Sequence, residues 1–204
     1  GWPCLPHVRR PTAHRRFPTP ACGGPLVYES LDVLTELPLD RKAELVDGEI
    51  VLMSPTGDLP ARAAENVFIS LRLHERTAGG RAHGDNVGYL VDLPGRGSFS
   101  PDASYYTGTS RGMGFLEGAP AFAVEVRSEV DYGERAEAKM ARKRADYFAA
   151  GTQVVWDVDL LGPDTIRAWR AARPDAPDVF RRGETADAEP AVPGWRFPVS
   201  ELYE

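Results

Sequence analysis

Short alternations of apolar and polar residues run through most of the chain, punctuated by glycine and proline, and give way to helical spacing over one short and two long segments. Residues 30–37 (SLDVLTEL) read as a short helix capped by Ser30. ELVDGEIVLMS follows, with Asp47-Gly48 between two apolar runs, the sequence signal of a tight β-hairpin. Residues 60–78 have helical periodicity, with Ala64, Phe68, Leu71 and Glu75 or His74 on one stripe and Gly79-Gly80 as the stop. Three strands are expected next, at 87–93 (VGYLVDL), 99–106 (FSPDASYY) and 121–127 (AFAVEVR), separated by the turn-rich PGRG and GTSRGMG.

A second helix is expected over 133–150, ending at Gly151, and a strand over 153–158 (QVVWDV). The remainder reads as a weaker strand near 165–170, a Pro- and Asp-rich loop and a last segment, GWRFPVSELY. The core order is helix, three strands, helix, strand. A helix joining two strands of one sheet implies a parallel, right-handed crossover. The expected class is therefore α/β, a mixed sheet flanked by helices, without internal repeats.

Composition changes this picture at one end. Residues 1–27 are rich in proline and arginine, and the first 25 contain no acid, so they read as a disordered arm ahead of a domain over 28–204. The arm lacks the long apolar stretch of a secretory leader, and a basic arm touching nucleic acid is its functional alternative. Cys4 and Cys22 fall in it with no zinc-like spacing, and the four histidines do not cluster in sequence. No apolar run reaches the roughly 18 residues that span a bilayer, so no membrane is expected and the reading is cytoplasmic. The net charge of −6 argues against generic electrostatic affinity for nucleic acid, although a local basic patch is compatible with it. Of 24 Lys and Arg residues, only Lys42, Lys139 and Lys143 are lysines.

Three residues stand out chemically. Asp102 interrupts a strand directly after Pro101, and Glu125 sits inside the apolar run AFAVEV. A carboxylate in such a setting is costly unless paired or bound to a cation. Alternation places Ala121, Ala123, Glu125 and Arg127 on one face, where the small residues leave room for a ligand. On the second helix, Ala136, Met140, Lys143 and Tyr147 form the core-facing stripe, with Lys143 at its edge and Lys139 further towards solvent. Two acids and an ammonium suit a hard cation such as Mg²⁺, held by Asp102, Glu125 and the Val126 carbonyl, with Lys143 orienting a water or countering developing charge. Spacing alone accommodates bland roles equally: Asp102 capping a turn, Glu125 paired with Arg127 or Lys143, and Lys143 laying its stem along the core. An acid–base pair of Asp102 and Glu125 serving another hydrolase also fits.

The segments ELVDGEIVLMSPTG, SPDASYY, FAVEV and KRADYFAAGTQVVWDVD, in that order, together with PGWRFPVSELY, resemble the Uma family of "putative restriction endonucleases" from about Leu34 onwards. The resemblance implies the PD-(D/E)XK nuclease fold and a divalent cofactor, Mg²⁺ or Mn²⁺. It implies DNA as substrate and, as in many nucleases of that fold, a homodimer. In that fold the motif lysine stands two residues after the Glu, where this chain has Arg127. Family members similarly supply the lysine from the following helix, at the position of Lys143. Glu44 in ELVDGE matches a further family acid. The strand end departs from the family pattern, reading EVRSE with Glu129 in place of proline. Arg127 entering the site and a weakened, binding-only module are the readings that departure suggests.

Overall fold

The computed structural model describes residues 42–109 and 112–204. The expected arm, its cysteines and the Ser30-capped helix lie outside the described residues. The hairpin forms as read: β1 (Ala43–Val46) pairs antiparallel with β2 (Glu49–Leu52), Val46 opposite Glu49. Asp47 and Gly48 both take positive φ, 52° and 77°, the backbone that lets two residues join twisted strands. Helix α1 (Asp58–Ala78) is stopped by Gly79, whose φ of 77° no ordinary side chain favours. Its buried stripe is Ala63, Ala64, Val67 and Leu71. Phe68 packs against the core only in part.

The strand expected over 99–106 is two strands in two sheets. β3 (Arg81–His83) and β4 (Tyr89–Leu93) precede it, and β5 (Arg96–Phe99) folds back on β4 through Pro94-Gly95, so half of the PGRG "turn" is strand. After Phe99 the chain leaves that sheet and restarts as β6 (Ala103–Tyr106). Pro101, lacking an N–H, cannot continue a ladder, which is the physical reason for the break. Beyond β7 (Leu116–Glu117), β8 (Phe122–Val126), helix α2 (Glu134–Ala149) and β9 (Val154–Val158) form the expected parallel crossover, Glu125 opposite Asp157. β10 (Ile166–Arg170) then returns antiparallel.

The Pro- and Asp-rich segment expected as a loop is strand β11 (Arg173–Phe180). It occupies the edge of the sheet, where Pro174 and Pro177 forfeit few ladder bonds. β12 (Thr185–Asp187), β13 (Arg196–Pro198) and a 3₁₀ turn over Val199–Tyr203 complete the chain. The strand orders are β2-β1-β5-β4-β7 and β11-β10-β9-β8-β6-β3, with β12-β13 separate.

Alternation gives the six-stranded sheet two distinct faces. Phe122, Val124, Trp156 and Val158 pack with α1 and with Trp195, Phe197 and Leu202 of the last segment. Ala123 and Val155 face the other way, into a cluster with Tyr147 of α2 and Tyr89 and Phe99 of the five-stranded sheet. Glu125 shares this second face. So does Asp102, because Ala103 opposes Val124 and the register therefore sets Asp102 against Glu125.

Candidate functional site

Glu125 points from β8 towards α2, and α2 answers with two groups one turn apart. The Lys143 Nζ lies 2.8 Å from Glu125 Oε2, and the Tyr147 hydroxyl donates to Glu125 Oε1 at 2.7 Å. The i, i+4 spacing of Lys143 and Tyr147 lets one helix face hold both carboxylate oxygens. Lys143 also reaches Glu44 Oε1 at 2.9 Å, so its ammonium bridges an acid of each sheet. Glu44 is only 3% exposed. It accepts from Arg96 Nη1 and from the Ser100 N–H, each at 2.9 Å, and Arg96 in turn pairs with Asp146 of α2.

Asp102 joins from the break between β5 and β6. Its N–H donates to the Val124 carbonyl at 3.0 Å and its Oδ2 accepts the Val126 N–H at 2.8 Å, which ties it to the strand carrying Glu125. Its Oδ1 meets an ammonium that the sequence did not single out as chemistry: Lys42 Nζ at 2.7 Å, also 2.6 Å from Asp85. Glu125, Lys143 and Glu44 thus meet directly, and Asp102 is joined to them through backbone and charge. The Tyr147 hydroxyl, Arg96 and Lys42 are additions. Tyr147 showed in the sequence only as part of the core-facing stripe of α2, and Lys42 only as one of three lysines in an arginine-rich chain. Lys139 is exposed, as expected.

Arg127 shares the face of Glu125, but its contacts run elsewhere. It grips Asp157 through two bonds, of 2.6 and 2.7 Å, and pairs with Glu137 at the start of α2. Bidentate pairing of this kind fixes geometry as well as charge. Arg127 is 4% exposed and fastens the N-terminal turn of α2 to β8 and β9. That contact orients the helix which delivers Lys143.

The electrostatics separate the acids. Burial pushes Glu125 above the usual carboxyl range, and the charges of Asp102 and Glu44 add to that push against the pull of Lys143. Burial acts the same way on Glu44, yet Lys143, the Ser100 N–H and Arg96 outweigh it and hold Glu44 below its ordinary value. Lys143 stays protonated: burial opposes its charge, but Glu125 and Glu44 raise it above the ordinary lysine value. Burial, then Glu125 and Glu44, push the Tyr147 phenol far up, so it serves as a neutral donor.

The donor set suits a hard divalent cation in kind and in charge. Among the described residues, Glu44, Asp85, Asp102, Glu125 and Asp146 form their ion pairs with Lys42, Arg96 and Lys143, five acids to three cations. Among the described residues no three His, Cys, Asp or Glu side chains already form a metal cage, and Asp102 and Glu125 face ammonium groups instead.

The family described as "Putative restriction endonuclease", Uma2, matches residues 28–200. A solved structure described as a putative nuclease belonging to DUF820, from Anabaena variabilis, is similar in fold, with a TM-score of 0.67. It is 17% identical in sequence, and the match covers 84% of this chain and 96% of that one. No curated protein matches the chain. Among the described residues no helix is long and apolar enough to cross a membrane. The mixed α/β fold, the order of its elements and the extent of the family match lead to one conclusion: the chain belongs to the Uma2 family.

Proposed function

We propose that the chain is a divalent-metal-dependent endonuclease that hydrolyses DNA phosphodiester bonds at the cluster of Asp102, Glu125 and Lys143. The observation that carries this reading is the bridging position of Lys143, within 2.9 Å of two carboxylates that come from different sheets. Asp102 and Glu125 would hold Mg²⁺ or Mn²⁺, together with the Val126 carbonyl. The chemistry such a cation would supply is polarisation of the phosphodiester and activation of a water.

The remaining roles belong to the protein's own groups. Lys143 keeps its proton and presents a fixed positive charge where negative charge develops on the phosphate. Glu44 holds that ammonium from the far side. Tyr147 orients Glu125 by donating to Oε1, which leaves the other lone pairs of the carboxylate for a cation. Arg127 acts on the site only through the seating of α2.

The test is cleavage of plasmid and single-stranded DNA in Mg²⁺, Mn²⁺ or EDTA. Cleavage should require metal, vanish in Asp102→Ala and Glu125→Ala, fall strongly in Lys143→Ala and persist in Lys139→Ala. Cleavage that survives EDTA would overturn the reading. One observation favours a second reading, a binding module that has lost catalysis: Lys42 already sits on Asp102. That module would retain DNA binding in EDTA and cleave under no metal condition.

A further inference from the structure

Lys42 calls for an explanation that neither core packing nor surface solubility provides. Its side chain is 14% exposed, and its ammonium sits between Asp102, 24% exposed, and Asp85, 52% exposed. The charge of Glu125 also acts on it. Lys42 therefore brings a positive charge to the place where the two strand-borne acids converge. Its backbone is fixed, since its carbonyl accepts the Met53 N–H at 2.9 Å across the β1–β2 hairpin. Only the four-carbon stem is free to move. Asp85 is held ready on the solvent side, with Oδ1 accepting the Asn86 N–H at 2.8 Å.

We propose that Lys42 is an internal stand-in for the metal: its ammonium neutralises Asp102 in the metal-free chain and withdraws onto Asp85 when a divalent cation enters. This rests on the metal reading of the site and adds a positioning residue to it. A partly buried carboxylate left without a counter-charge costs free energy, so an apo site benefits from a resident charge. A lysine fits the task because its compact ammonium rides a flexible stem. Two carboxylates at 2.6 and 2.7 Å give that ammonium a second seat, one that needs no movement of the backbone.

The experiment is Mn²⁺ titration by calorimetry, with melting curves in EDTA and in Mn²⁺, on the full chain. Lys42→Met should bind Mn²⁺ about tenfold more tightly or better, the gain expected from removing one competing charge even at water-like screening. It should melt lower than the unmodified chain in EDTA and recover in Mn²⁺. Lys42→Gln, which can still donate to Asp102, tests the same point if the methionine variant folds poorly.

Asp85→Asn should weaken Mn²⁺ binding when Lys42 is present and have little effect in the Lys42→Met background. Additive effects of the two changes would show that Asp85 contributes only its own charge, and would overturn the two-seat arrangement. Equal Mn²⁺ affinity in the unmodified chain and in both Lys42 variants would overturn the stand-in role and leave the metal reading standing. Binding in Lys42→Met or Lys42→Gln alone would support the proposal and explain a silent parent. Failure of every chain to bind Mn²⁺ would sink both.

Discussion

At the residue scale the two glutamates that meet Lys143 behave oppositely, and the difference can be measured. Glu44 is held below its ordinary value, so its contribution to stability is full above about pH 4.5 and is lost as pH falls through its lowered value. Glu125 is raised, so its contribution is present at acidic pH and lost as pH rises through the raised value. In EDTA at neutral pH, Glu44→Gln should therefore lower the melting temperature, whereas Glu125→Gln should leave it unchanged or raise it. Melting curves of both variants between about pH 4 and 8 check this, and Glu44→Gln should also flatten the acid limb. A clear destabilisation by Glu125→Gln at neutral pH would contradict the electrostatic account. Lys143→Ala leaves two acids facing an emptied position and should cost about 3–5 kcal/mol, so its loss of cleavage is informative only beside a melting curve.

Much of this residue-level chemistry was legible in the sequence because it disturbs a pattern. Glu125 interrupts an apolar strand, Asp102 follows a proline, and Lys143 lies on a core-facing stripe. Lys42 disturbs nothing: it precedes β1, and its partner Asp102 is 60 residues away. Polar contacts made over that distance leave no periodicity to read. The same holds for Arg96, whose partners Glu44 and Asp146 are 52 and 50 residues distant.

At the scale of elements, the hairpin, both helices and the crossover were legible because turn chemistry and helical period speak locally. The split at Pro101 and edge strand β11 were not. Proline argues against strand locally, and only the position of a strand within a sheet decides whether its missing N–H matters. The attachment of α2 gives the prediction at this scale. Arg127→Met should destabilise the fold by about 3–5 kcal/mol, since Asp157, 2% exposed, loses its bidentate partner. Adding Asp157→Leu should restore part of that loss, by the logic of replacing a buried pair with apolar groups. Urea midpoints of the two single variants and the double variant measure the coupling. A strictly additive result would mean that Arg127 fastens α2 through Glu137 alone.

At the scale of the whole molecule, metal and fold should be linked. A cation that binds the native cluster and not the unfolded chain stabilises by about 2.7 kcal/mol at a hundred times its dissociation constant. Raising Mg²⁺ or Mn²⁺ should thus raise the melting temperature of the intact protein, and Asp102→Ala should abolish the increment. An equal increment in that variant would place the bound ion elsewhere.

The cluster also draws on scattered stretches of chain: Lys42 and Glu44 on or just before the first hairpin, Asp102 at the sheet break, Glu125 on β8, Lys143 and Tyr147 on α2. During synthesis the acids emerge from the ribosome well before the lysine that bridges them. A nascent chain halted short of residue 143 has carboxylates without that counter-charge. Any activity that needs Lys143 is therefore absent from a nascent chain until α2 has been made.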